Sequence, residues 1–367
     1  DIKFGKDELD KYQLQMDYLM IDSNTFRALP VAEQALYKDV RSHVSFKELY
    51  EKWTGDRQVT GKIFSGAMGE AIASTTFAEI LGVSMHRSLL KEYATSPYND
   101  DWRKLVSIVS RNDFKENTVT KMGGYDDLPT VVESGPYTDA DSPTEEKATY
   151  KMLKKGYLET VSMEAIKNDD LGAIKRIPIK WGRAAKRTLY KYVFNMILTN
   201  PAMAYDSKAL FHADHNNILT NALSETAYIA ARKLLAQQKE LDSDAVIGLS
   251  PAFMLVSIDS EKTAYELTNS AFGKNNNVPD FVQTWQVEPI VIKHATGSSW
   301  YLTASPKECD LIELGFLDGN EEPEFFVQDL PTQGYAFTND GIKMKVRHIY
   351  AGTNVDHRGL VGSIVAG

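Results

Sequence analysis

The hydrophobic positions of this chain change period several times, and each change predicts an element. From Lys104 to Lys121 the chain is rich in Val, Ser, Thr and Ile, with Leu105, Ser107 and Val109 on one face and Val106 and Ile108 on the other. That alternation predicts a long strand. Ala148 to Ile166 has the same character. Between the two lies an insert that holds Gly123-Gly124, Pro129, Gly135-Pro136 and Pro143. Two long strands joined in this way predict a protruding β finger. A strand of about twenty residues reaches roughly 60 Å. A lone two-stranded ribbon is marginal in water, so the finger is expected to lie on a neighbouring molecule.

The period then becomes helical. Asn168-Asp169-Asp170 supplies acids suited to a helix start, and Pro178 fits a first turn better than an interior, so the main helix is expected over Ile177 to Leu198. At 100° per residue, Trp181, Ala185, Thr188, Tyr192 and Met196 share one face. Arg176, Lys180, Arg183, Arg187 and Lys191 line the opposite one. A second amphipathic helix is predicted over Ser224 to Glu240 with Ser224 as its cap. Shorter helices are predicted over Ser260 to Ser270, over Val31 to Arg41, and over Gly69 to Tyr93 with an interruption near Gly82. Strand patterns recur at Ala245 to Ile258, Val282 to Ile292, Ser299 to Thr303, Glu324 to Gln328 and Ile342 to Ala351. No βαβ unit repeats, so the class is α+β. The first sixty-odd residues carry aromatics too thinly spread to close a core, which predicts an arm lying across something else.

Composition narrows the class. At 367 residues and 43% hydrophobic, the chain can bury a core as one elaborate domain or a few modules. No run approaches the roughly 18 apolar residues of a membrane span, so no membrane partner is expected. The single cysteine, Cys309, excludes an intrachain disulfide, and the acids flanking it disfavour a thiolate nucleophile.

The net charge of −9 conceals segregation. Tyr125 to Glu146 holds Asp126, Asp127, Glu133, Asp139, Asp141, Glu145 and Glu146 with no Lys or Arg, giving −7. Lys147 to Lys191 holds twelve basic residues against Glu159, Glu164, Asp169 and Asp170, giving +8. Such blocks ordinarily form solvated surface. The sharper reading is that acidic and basic blocks of neighbouring copies meet, because complementary fields set register. Asp126, Asp127, Glu133, Asp139 and Asp141 on one side, and Lys180, Arg183, Arg187 and Lys191 on the other, are the candidate inter-subunit contacts.

The chemistry-bearing string is Leu210-Phe211-His212-Ala213-Asp214-His215-Asn216-Asn217. His212, Asp214 and His215 invite a metal-dependent hydrolase reading. A helical zinc site, however, needs His at i and i+4 with a carboxylate base, and these histidines are three apart. The competing reading is that these side chains tie down a connection between helices. Asp356-His357-Arg358 suggests a general base, but no nucleophile elbow accompanies it, and neither a Walker loop nor a dinucleotide fingerprint occurs. The residues point to no enzyme and no cofactor.

One family does share these strings in order. They are Trp102-Arg103-Lys104-Leu105-Val106-Ser107, Asp127-Leu128-Pro129, Glu164-Ala165-Ile166, Asn168-Asp169-Asp170-Leu171-Gly172, Gly182-Arg183-Ala184-Ala185 and Asn200-Pro201. They continue through Leu210-Phe211-His212 to His215-Asn216, Leu249-Ser250-Pro251, Trp300-Tyr301-Leu302, Gly315-Phe316-Leu317-Asp318-Gly319 and Val355-Asp356-His357-Arg358-Gly359. From about Arg103 onward the chain resembles tailed-bacteriophage major capsid proteins of the Hong Kong 97 fold, in the branch of Mu-like head subunits and protease-fused coat proteins.

The resemblance implies an N-terminal arm over 1–66, a helical lead-in over 67–103 and an extended E-loop finger over 104–168. It implies a peripheral domain with a spine helix over 169–240 and 341–367, and an axial domain over 241–340. It implies self-assembly through pentamers and hexamers into an icosahedral head around double-stranded DNA. Portal, prohead protease and a decoration protein would be partners, with assembly in the host cytoplasm and Asp1 created by proteolytic removal of a scaffolding segment. An encapsulin-like cargo shell shares the fold and is the alternative, with the His212/Asp214/His215 hydrolase a remote third.

Overall fold

In this computed structural model the described residues are 13–20, 77–125, 127–137, 139–140, 142–162, 171–243, 245–269, 285–328 and 341–365, with a few isolated positions besides. The helix expected over Val31 to Arg41 lies almost wholly outside them, as do Asp126 and Asp141. The described helices are α1 (Phe77–Thr95), α2 (Leu171–Leu198), α3 (Glu225–Ala236) and α4 (Glu261–Asn269).

The chain divides into two compact units. The first comprises Asp1–Pro97, Lys154–Arg187 and Glu321–Ile349; the second comprises Tyr98–Leu153, Thr188–Asn320 and Tyr350–Gly367. This differs from the expected partition at 240/241 and 340/341. Two of the boundaries fall inside α2 and inside the long strand Gly341–Asn354, where continuous secondary structure leaves no loop-like composition to mark them.

In the second unit, β1 (Val106–Arg111) pairs in parallel with β9 (Ile312–Leu317), which pairs antiparallel with the end of β11 (Gly341–Asn354). A second sheet runs in the order β5 (Ile218–Leu219), β12 (Leu360–Ser363), β8 (Trp300–Ala304), β6 (Pro251–Val256), β7 (Glu288–Val291). All five residues of β8 are buried, which explains its unbroken apolar character. The main core gathers Trp102, Leu189, Phe194, Phe211, Phe316 and Tyr350. Ser224 caps α3 as the sequence requires, its hydroxyl accepting from the Ala227 amide at 3.3 Å.

The expected finger is shorter than its sequence pattern. The first strand breaks between β1 and β2 (Glu116–Met122), and the return breaks at Met152 between β3 (Glu145–Lys151) and β4 (Leu153–Ser162). Only β2 and β3 form the two-stranded ribbon, in a register from Glu116–Lys151 to Met122–Glu145. β1 and β4 are instead members of larger sheets. An alternating pattern identifies a strand but not its partner, so sequence merged two consecutive strands into one.

In the first unit, the Gly341–Ile349 part of β11 pairs with β10 (Glu324–Gln328) and with β4. Met16, Leu81, Met85, Leu89, Ile174 and Trp181 are among the residues of its core. α1 runs unbroken through Gly82, where Val327 Cγ2 lies only 3.2 Å from the position a Cβ would take. That glycine makes room for a neighbour and does not end a helix.

α2 also differs from expectation: it starts at Leu171 and carries Pro178 inside. The proline removes the donor for the Ile174 carbonyl, a cost of about 3 kcal/mol that tertiary burial must offset. The buried stripe is not the predicted one, since Thr188 is exposed. Ile174, Pro178 and Trp181 are buried in the first unit; Leu189, Tyr190, Val193, Phe194 and Ile197 are buried in the second. The stripe therefore moves around the helix by roughly 100° along its length. A single keel cannot describe a helix that serves two cores.

Gly182 lets α1 and α2 approach backbone to backbone, since a Cβ there would lie 2.4 Å from the Leu89 carbonyl oxygen. Gly182→Ala is therefore expected to cost about 1–3 kcal/mol through forced separation of the helices. A lowered denaturation midpoint in the purified chain checks this.

Candidate assembly surface

The end of the β2–β3 ribbon that adjoins the insert, the root from which the insert rises, is held by charge largely withdrawn from solvent. Lys121 and Glu146 face each other across the ribbon. The Arg358 guanidinium donates to both Glu146 carboxylate oxygens, at 2.8 and 3.1 Å, and to Asp356 Oδ1 at 3.0 Å. Its Nε donates to the Lys239 carbonyl at 3.1 Å. The Lys121 ammonium sits against the other Asp356 oxygen. Beyond this cluster the Gly124 amide donates to the Leu241 carbonyl at 2.9 Å, and the Thr144 hydroxyl donates to Asp242 at 2.6 Å. Hydrogen bonds from Thr144 hold the Asp242 carboxyl below its ordinary value. Both strands are thus fixed to the body of their unit at the end where the insert begins.

The His212–His215 turn belongs to the same neighbourhood and is structural. His212 caps the short turn by accepting from the Asp214 amide at 3.1 Å. Asp214 pairs with Lys208 at 2.7 Å. His215 places its ring nitrogens against the Leu210 carbonyl at 3.1 Å and Asp206 Oδ2 at 2.7 Å. His357 stacks on it with ring centroids 3.8 Å apart, and Tyr205 bonds His357 Nδ1. Asn217 braces the turn by accepting from the His212 amide at 3.0 Å and donating to the Leu210 carbonyl at 2.8 Å. Each of the three candidate ligands thus has a structural partner, Lys208 for Asp214, Asp206 for His215 and the Asp214 amide for His212, whose ring also lies 3.6 Å from the Asp214 carboxylate. Among the described residues no group of His, Cys, Asp or Glu is placed to hold a metal.

Cys309 lies beside Asp356, with Sγ 3.2 Å from Oδ2. Burial pushes the thiol up, more strongly than Lys121 and Arg358 pull it down. The sequence had pointed to flanking carboxylates as the reason against a thiolate; the leading cause is burial.

Burial also lowers His357 to about 3, helped by repulsion from His215 and Arg358. In the first unit it lowers His348 to about 4. Both groups have folded values below the ordinary 6.5, so the unfolded chain binds more protons between those values. Stability is complete above about pH 6.5 and falls as the pH drops toward 4, by about 1.4 kcal/mol per pH unit for each histidine once below its unfolded value. Thermal midpoints at pH 7 and pH 5 should differ accordingly, and His357→Gln should flatten the difference.

Above the ribbon root, the described residues of the insert form no helix or strand, and most of them are exposed. Asp127, Glu133 and Asp139 are exposed. Leu128, Val132 and Tyr137 are 95%, 74% and 87% exposed, an unusual commitment of apolar surface to water. Glu146 belonged in sequence to the same acidic block, yet it is consumed internally by Arg358.

The opposing basic set is exposed as expected at Arg176, Lys180, Arg183, Arg187 and Lys191. Arg183 also pairs with Glu92 at 2.8 Å, so part of its charge is already answered. Lys186 instead turns inward over the Tyr93 ring, 4.7 Å from its centroid. Glu146, Asp356 and Arg358 are the site residues that pattern reading missed as a unit. They are up to 212 positions apart, and no periodicity connects them.

A family model described as phage capsid protein matches residues 145–363, more than half of the chain. The chain belongs to the phage capsid protein family. It is a capsid protein, a structural subunit of the phage head shell, and its architecture is α+β. A search of curated proteins gave no match.

Solved structures similar to this capsid protein include one from Mycobacterium phage Adephagia, at 12% identity, covering 76% of this chain and 90% of that one with a TM-score of 0.48. A procapsid of bacteriophage JBD30 matches at 15% identity over 82% of this chain and 77% of that one, TM-score 0.42. A virus-like particle from Pyrococcus furiosus matches at 10% identity over 77% and 98%, TM-score 0.42. At these distances the family assignment rests on the sequence match.

Proposed function

We propose that copies of this capsid protein associate through the acidic insert of one subunit and the basic face of α2 on another, closing an icosahedral head that encloses double-stranded DNA. What supports the contact is that one subunit exposes both an acidic, apolar-tipped insert and a five-residue basic face. Among the described residues, the insert's exposed acids Asp127, Glu133 and Asp139 make no ion pair, and of the five cations only Arg183 does. Burying the insert's apolar side chains on a neighbour supplies the association energy, and the charges supply register.

The insert and ribbon act as the E-loop finger, the residues before 67 as an arm, and α2 as the spine of a peripheral domain. Pentamers and hexamers are the intermediate assemblies. Portal, prohead protease and a decoration protein complete the head, which forms in the host cytoplasm. The subunit has no catalytic role in this reading.

An overall charge of −9 suits a lining that repels rather than grips nucleic acid, because phosphate binding scales with clustered cations. Purified particles should therefore hold nuclease-protected double-stranded DNA that salt does not displace from intact shells. Particles that hold only protein cargo would favour the encapsulin-like alternative.

A further inference from the structure

The first unit contains a cavity of about 450 Å³ between the end of β4 and the first turns of α2. Its apolar lining is Val161, Ile174, Ile177 and Trp181, and its mouth carries Arg176 and Lys180 together with Glu159. Arg176 and Lys180 are exposed, whereas Val161, Ile174 and Trp181 are buried. An apolar socket under two cations is built for an apolar side chain that arrives beside a carboxylate.

We propose that this cavity receives Leu128 from the insert of a second copy of the chain, with Asp127 over Arg176 and Lys180. The inference rests on the association reading above and names its seat. Leu128 is the most exposed of the large apolar side chains described, at 95%. Asp127 precedes it, and Pro129 follows it, holding Leu128 in an extended conformation that projects its side chain from the chain path. Burial of such a leucine in an apolar socket is favoured by the hydrophobic effect, and the adjacent carboxylate meets charge of opposite sign. A phosphate would find the two cations but also Glu159 and an apolar floor, which suits it poorly.

The test uses the full chain carrying Leu128→Cys and Ile177→Cys in a Cys309→Ser background, assembled from a mixture of isotopically heavy and light subunits and then mildly oxidised. The expected result is covalent multimers on non-reducing gels, with heavy–light peptides joined through positions 128 and 177. A control pairing Leu128→Cys with exposed Lys262→Cys should stay monomeric.

Shells that form without the 128–177 bond, or with that bond only inside single chains, would overturn the proposal. As a second arm, Leu128→Ser should reduce shell yield several-fold and by more than Val132→Ser does; equal yields for the two overturn it as well. If the parent chain forms no shells, the association reading itself fails, a result distinct from shells that form with the socket unlinked.

Discussion

Replacing Arg358 with alanine is expected to destabilise the chain by about 3–5 kcal/mol, the largest single effect at any charged position described. Arg358 is buried, and it answers two carboxylates, the buried Asp356 and the partly buried Glu146. Removing it leaves Glu146 without its bidentate partner in a poorly solvated place and takes one of two cations from Asp356, against which the Lys121 ammonium, the Cys309 thiol and the residue 358 amide remain. The cost is that of stranded charge, larger than the net worth of the pairs when intact.

Arg358→Lys should recover only part of the loss, because one ammonium cannot make two parallel bonds to Glu146 while reaching Asp356 and the Lys239 carbonyl. Denaturant midpoints of the purified chains measure both effects. Because Glu146 sits in β3 at the ribbon root, the same substitution should raise hydrogen exchange in β2 and β3 above that in β8. Unchanged stability in Arg358→Ala would mean that the root is not held by this cluster.

The second large effect is on particles rather than on the monomer. Reversing Lys180, Arg183 and Arg187 to glutamate together turns the basic face of α2 acidic over two turns and should cut particle yield at least about tenfold. Like charges brought together at an interface cost several kcal/mol, and one unfavourable contact recurs at every copy. The subunit itself should remain folded, since all three side chains are exposed and, among the described residues, the one ion pair they make, Arg183 with Glu92, is worth about 0–1 kcal/mol. Circular dichroism melts of the triple variant should therefore resemble those of the parent, while sedimentation shows unassembled protein. A normal particle peak would sink the insert-to-helix contact.

How far the sequence reveals this protein depends on the range of the interactions concerned. Local signals were legible: the Ser224 cap, the Glu324–Gln328 strand and the exposed cations of α2 are all where their spacing and residue types place them. These depend on neighbours within a few residues. Pro178 was misleading because a local rule met a tertiary one: burial on two cores holds α2 together through a residue that would break it alone.

Strand partners were not legible either. The alternation from Lys104 to Lys121 is the same whether the strand pairs with β9 or with β3, so the finger looked longer than it is. The ribbon-root cluster was hidden for a similar reason. Glu146 looked like one more acid in a solvated block, and only the fold brings Arg358 to it. His212, Asp214 and His215 crowd together in sequence yet face Lys208, Asp206 and backbone groups, which turns a suggestive string into a brace for a turn. The family strings, by contrast, were readable because they record the whole constellation at once.

The most direct test of the central claim is electron microscopy of the purified full chain after assembly, with its nucleic-acid content measured on the same material. Closed icosahedral shells built from pentameric and hexameric rings, holding nuclease-protected double-stranded DNA when taken from infected cells, are the predicted result. Protein that remains as dispersed subunits under every assembly condition would contradict it.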